Sequence, residues 1–218
     1  MMTGATPMIT PSMVKAVRPF FANMERKAIF YVCILLLMFF YSVVNGAGNY
    51  GPTYAQEALG ASSQIAGLIN VPGMIVAVIL TTVFGNYASK TGRYKGMVMI
   101  WAAGAVVGGV LWALMGAAPT SSVGLLLLFA GAFPLATVNS VNQIAPYTYP
   151  MTILQPQGLA AGLAFMGLAG ALGSTIAGGI CAALMNGAGG LAAVFKVPLV
   201  CEAVMLVCAV LFKDIRKQ

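Results

Sequence analysis

Residues 96–195, between Lys95 and Lys196, contain no Asp, Glu, Lys or Arg. A water-facing fold cannot tolerate this, since a soluble domain carries roughly a quarter charged residues spread over its surface. Across the whole chain only 7% of residues are charged and 60% are hydrophobic. A bilayer accepts such a stretch, because a spanning helix needs about 20 predominantly apolar residues. The composition therefore excludes a soluble enzyme, a disordered chain and a nucleic-acid-binding module.

Polar and glycine-rich breaks divide the apolar sequence into six segments. They are about Ala28–Gly46, Ser63–Phe84, Gly96–Ala117, Val123–Ile144, Gly158–Met185 and Leu191–Phe212. Each is long enough to cross about 30 Å of hydrocarbon at a rise of about 1.5 Å per residue. Helices are the expected form, since each satisfies its own backbone hydrogen bonds in lipid. The segments lack the polar–apolar alternation of a membrane β-barrel and are too long for its strands. The expected organisation is a tail over residues 1–27, a six-helix bundle over 28–212 and a short tail over 213–218.

The basic residues set the orientation. Lys15, Arg18, Arg26 and Lys27 precede the first span, Lys90, Arg93 and Lys95 lie between the second and third, and Lys213, Arg216 and Lys217 follow the sixth. Six spans put these three regions on one side, and only Lys196 falls on the other. The positive-inside rule makes that side the cytoplasm, with both termini on it and the bundle in the plasma (inner) membrane. The net charge of +7 is thus read as topological, with the bilayer rather than nucleic acid as partner. The long approach to the first span reads as a cytoplasmic tail rather than a secretory signal.

No histidine is present, and no paired carboxylates or Ser–Lys dyad lie within a span. The chain is not read as an enzyme, and no metal or cofactor is expected. Cys33, Cys181, Cys201 and Cys208 stand in apolar stretches without a CxxC pair and read as small core residues.

The polar residues inside the spans carry the functional signal. Tyr41, Asn45 and Asn49 recur every four residues in span one. Asn139, Asn142 and Gln143 sit at i, i+3 and i+4 in span four, and Asn70 stands by itself in span two. Such groups in lipid seek partners or water, so they either tie helices together or line a water-filled path. Glu202 is the one acidic residue well within a span. It is either a proton carrier or a static group that snorkels or pairs with Lys196. Small residues at Gly158, Gly162, Gly170, Ser174, Gly178 and Ala182 form a ridge in span five, and Gly104 and Gly108 repeat the pattern in span three. The ridges predict close helix packing or a sliding face. Pro72 predicts a kink in span two that frees a carbonyl near Leu68.

Between spans two and three the sequence reads Gly85-Asn86-Tyr87-Ala88-Ser89-Lys90-Thr91-Gly92-Arg93-Tyr94-Lys95. This resembles the G-x-x-x-D-R-x-G-R-R/K signature of the major facilitator superfamily, with Gly85, Lys90, Gly92 and Arg93 matching and Ser89 in the place of the aspartate. Tyr50–Gln56, Leu59–Ala61, Ala66–Leu68 with Pro72, and Gln157–Leu163 resemble segments of the C-terminal half of drug:proton antiporters in that superfamily. The resemblance implies an all-α membrane protein whose six helices form a 3+3 inverted repeat, equivalent to one half of such a transporter. It implies that spans one and four line a central cavity for a small organic solute. It also implies that transport needs a second six-helix bundle, from another copy or another chain. The alternative implied by the serine and the single bundle is a non-transporting subunit or a truncated remnant. The serine also leaves the loop without the acid that latches it to a neighbouring helix in the family.

Overall fold

The computed structural model describes the backbone of residues 11–143 and 156–212, and the side chains of residues 28–135 and 162–212. Among these the chain is entirely helical apart from turns. The helices are α1 (Pro11–Gly48), α2 (Gly51–Glu57), α3 (Ser63–Leu68), α4 (Val71–Thr91), α5 (Lys95–Met115), α6 (Ser121–Gln143), α7 (Pro156–Met185), α8 (Gly190–Val194) and α9 (Lys196–Leu211). Taken across their short breaks, five stretches are long and apolar enough to cross a membrane: Ala28–Glu57, Ser63–Thr91, Lys95–Met115, Gly162–Met185 and Gly190–Leu211. The apolar part of α6 whose side chains are described, Ser121–Leu135, is shorter.

The sequence segments map onto these helices with informative shifts. Span one does not end at Gly46: α1 runs to Gly48, and Gly46 is a packing contact, since a Cβ there would lie 2.7 Å from that of Ala177 on α7. The helix of span one also extends back to Pro11 rather than starting at Ala28. Span two is broken rather than kinked. α3 stops at Leu68, the chain turns at Ile69–Asn70, and Pro72 sits in the first turn of α4. A proline there removes a donor that has no intrahelical partner anyway. A proline in a helix interior is found instead at Pro134 in α6, whose ring withholds an N–H from the Ala130 carbonyl. Span six is likewise divided at Phe195, between α8 and α9.

The long helices pack as an open chain of neighbours. α7 lies on α1, α1 on α9, α9 on α5, α5 on α6, and α6 on α4. Close approach is set by small residues. A Cβ on Gly173 of α7 would run into the Phe39 carbonyl of α1, and one on Gly73 of α4 would lie 2.9 Å from the Ala132 carbonyl of α6. Gly108 of α5 meets Leu135 of α6 in the same way. The predicted ridge on span five is only partly the packing face. Met166, Gly173, Ala177 and Cys181 are buried, whereas Ser174, Gly178 and Ala182 face outward, and a Cβ on Gly178 would meet nothing within 4 Å. The faces turned away from neighbours are strongly apolar: Val78 is 69% exposed and Leu126 67%. Water would penalise such surfaces and lipid would not.

Two buried clusters fill the interior. One gathers Phe30, Leu37, Val98, Trp101, Met205 and Phe212 among others; the second gathers Tyr54, Ile69, Trp112, Leu128, Val194 and Phe195. All four cysteines are free and buried.

Candidate functional site

The C-terminal end of α1 sets one wall of the site. A helix places residues four apart on one face, so Tyr41, Asn45 and Asn49 line up along it, with Val44 and Gly48 beside them. The break between α3 and α4 brings in Asn70. As the residue just before α4 it has helical dihedrals and makes no side-chain cap bond, so its carboxamide is left for the cleft. Trp112 of α5 and Ala132 and Leu135 of α6 complete a cleft of about 230 Å³, with Gly73 and Met74 on its rim. Dedicated pockets for drug-sized ligands hold roughly 300–1,000 Å³, so this surface has the size of a small or partial site.

Trp112 is the part that sequence reading missed. Its indole N–H donates to the Leu128 carbonyl at 3.2 Å. The ring stands edge-on to Phe195 with centroids 5.6 Å apart, and Phe195 in turn meets Tyr54 at 5.1 Å. Room for the indole comes from glycines on both neighbours. A Cβ on Gly131 would lie 2.6 Å from the indole nitrogen, and one on Gly48 3.1 Å from the ring's far edge. Trp112 follows Gly108 by one helical turn on the α6-facing side of α5, and this spacing was the available clue. Asn70 stood by itself in the sequence, and the chain break gives it Asn45 and Asn49 as neighbours in the cleft.

The α6 backbone carries Asn139, Asn142 and Gln143, but their side chains lie outside the described residues. By register Asn139 and Asn142 follow Leu135 at i+4 and i+7.

Glu202 is not part of the cleft. It is 0% exposed on the face of α9 that meets α5, and among the described residues neither carboxyl oxygen has a hydrogen-bond partner. It fits against Gly109: a Cβ there would overlap the carboxylate and come within 3.1 Å of the Leu199 Cα. The expectation of snorkelling or of an ion pair is overturned, since Lys196 is exposed at the start of α9 while Glu202 is sealed one and a half turns further on.

The stretch expected to be a loop between spans two and three is mostly helix. Gly85, Ser89 and Lys90 lie on α4, which extends to Thr91. Gly85 makes no turn; Gly92 does, capping the helix with φ +61° and donating its N–H to the Ala88 carbonyl at 2.8 Å. That left-handed conformation suits a residue without a Cβ. The Ser89 hydroxyl donates to the Asn86 carbonyl of its own helix at 3.0 Å and, among the described residues, bonds to no other helix. Lys90 and Arg93 are exposed. The link to another helix is made by Lys95, whose ammonium donates to the Val210 carbonyl in the last turn of α9 at 3.1 Å, where a cation is favoured by the helix dipole.

Together these features define an all-helical chain with membrane-spanning character and a polar cleft set among its apolar helices. No family model matches the chain, and no match was found among curated proteins or solved structures.

Proposed function

We propose that the chain is one six-helix bundle of a secondary transporter of the major facilitator type, moving a small organic solute through the cleft described above. The observation that carries this reading is the cleft itself: it collects Tyr41, Asn45 and Asn49 of span one with Asn70 of span two, against span four. In this reading α6, span four, also crosses the membrane and continues the cavity wall through Asn139, Asn142 and Gln143. The neighbour order of the helices is in keeping with a 3+3 repeat. In span numbers it runs 5-1-6-3-4-2, and exchanging spans one to three with four to six returns the same order reversed.

Transport by rocking needs a second bundle, supplied by a second copy or another chain, with the outward faces of α4 and α7 free to receive it. Both termini then lie in the cytoplasm of a plasma (inner) membrane, with the cleft toward the outer end of span one. Glu202 is the candidate proton site of this reading, and Gly85, Ser89, Lys90, Gly92 and Arg93 form its cytoplasmic signature. Measuring the mass of the purified chain and solute counterflow in proteoliposomes, with and without any copurifying six-span chain, tests the proposal. A strict monomer with no flux in either preparation refutes it.

The second reading is a non-transporting subunit or remnant. Ser89 favours it, because its hydroxyl bonds to its own helix and supplies no latch across the bundle. Assembly with a larger transporter, without counterflow by the chain itself, is its expected outcome.

A further inference from the structure

We propose that the cleft at the end of α1 takes an uncharged solute bearing both hydrogen-bond donors and acceptors, such as hydroxyl or amide groups, and rejects ionised ones. This rests on reading the cleft as the solute site and deepens that reading by naming the chemical class.

Three observations converge. First, the described lining holds no charged side chain: its polar groups are the Tyr41 hydroxyl and the Asn45, Asn49 and Asn70 carboxamides. Nor can the remaining part of α6 bring in a charge, since residues 96–195 contain none. The one carboxyl well inside a span, Glu202, is sealed between α5 and α9 and does not reach the cleft. An ion entering this apolar surround leaves water without a counter-charge, a large cost in a medium of low dielectric.

Second, the carboxamides are exposed, and among the described residues no hydrogen bond ties up those of Asn45, Asn49 and Asn70. Each offers one carbonyl acceptor and an NH2 donor. A set of three therefore matches a solute presenting both kinds of group, as a polyol, a sugar or an amide does. An apolar solute would leave these groups desolvated and unpaired.

Third, the larger aromatic ring of the wall, Trp112, gives little to a cation. Trp112 is 5% exposed, with its indole engaged by Leu128, Phe195 and the two glycine backbones. A bound cation would need an open ring face within about 6 Å of its centre.

Three probes on one scaffold separate charge from shape: N-acetylglucosamine (neutral), protonated glucosamine (cationic) and glucuronate (anionic). Equilibrium binding of each labelled probe to the full chain in lipid nanodiscs is the measurement. The neutral probe is expected to bind at least about tenfold tighter than either ion, and Asn45→Leu with Asn70→Leu to weaken it by about tenfold. Asn45→Asp keeps the side-chain shape and adds a carboxylate, so it is expected to shift preference toward glucosamine. Equal or tighter binding of an ion by the native chain overturns the proposal, as does an absence of binding by all three probes. An Asp variant whose preference is unmoved also overturns it. Counterflow in proteoliposomes is read separately. Selective binding of the neutral probe without flux upholds the solute class while removing transport. Flux of an ion in preference to the neutral probe overturns the solute class and leaves transport standing.

Discussion

Among the described residues, two polar places within the long apolar helices are treated in opposite ways. At the cleft, neutral carboxamides at the end of α1 and before α4 are left exposed and, among the described residues, unpaired. At the α5–α9 contact, a carboxyl is driven to zero exposure against a glycine and shielded from both water and Lys196. Carboxamides can stay in a small open cleft because they carry no net charge. The Glu202 carboxyl is instead packed against the Gly109 backbone, with no hydrogen-bond partner within 3.5 Å among the described residues. Openness and polarity thus go together at one end of the chain, while the helix-to-helix contact that holds α9 on α5 is dry.

The sharpest way to break this comparison is at Gly109. Gly109→Ala places a methyl group into the Glu202 carboxylate and is expected to cost about 1–3 kcal/mol, as overpacking does. Thermal unfolding in detergent reads the loss. Adding Glu202→Ala removes one of the two overlaps, so the double variant is expected to be less destabilised than the sum of the singles, a coupling that a remote pair would not show. Gly131→Ala comes next. It displaces the Trp112 indole from the Leu128 carbonyl, with an expected cost of about 1–2 kcal/mol and a shift in tryptophan emission; an unchanged spectrum would mean that the glycine does not position the ring. Glu202→Gln keeps the shape and is expected to leave the unfolding temperature close to that of the native chain while abolishing pH-driven uptake. Uptake that persists with its pH dependence removes Glu202 from proton coupling. The smallest effect is expected at Gly178, where an added Cβ meets nothing. In the isolated chain Gly178→Ala should be neutral or stabilising by up to about 1 kcal/mol from helix propensity. The matching change at Gly173, whose Cβ would strike the Phe39 carbonyl, should destabilise. Equal effects at both glycines would mean that the outward ridge is covered by another bundle.

Much of the helical layout was legible in the sequence because apolar length is read directly from composition. Spans three to six match their helices to within two residues at either end, whereas the helix of span one begins at Pro11 and that of span two runs on to Thr91; two further features depend on local chemistry. Gly46 and Gly85 look like helix ends, yet both lie in helices, the first because it meets Ala177. Pro72 looks like a kink, yet it opens a new helix after the turn at Ile69–Asn70. The cleft was half legible. Four-residue spacing on one helix revealed Tyr41, Asn45 and Asn49. Asn70 and Trp112 come from other helices, and sequence distance carries no information about which of their faces meet.

The amino-acid sequence by itself determined that this chain is built from long apolar helices, because 100 uncharged positions between Lys95 and Lys196 suit a bilayer, and segments this long without polar–apolar alternation satisfy their backbone there as helices rather than as a barrel. It also singled out the polar side chains that such helices bear at a cost. Tertiary structure alone decided which of those side chains share a surface. Positions Ser174 and Gly178 were left outward while Gly173 and Ala177 took the contact with α1, and Glu202 was closed off while Asn45 and Asn70 stayed open. The physical reason is that small residues and carboxyl groups acquire their meaning from what packs against them, and packing is settled by the neighbouring helix rather than by the one that carries them.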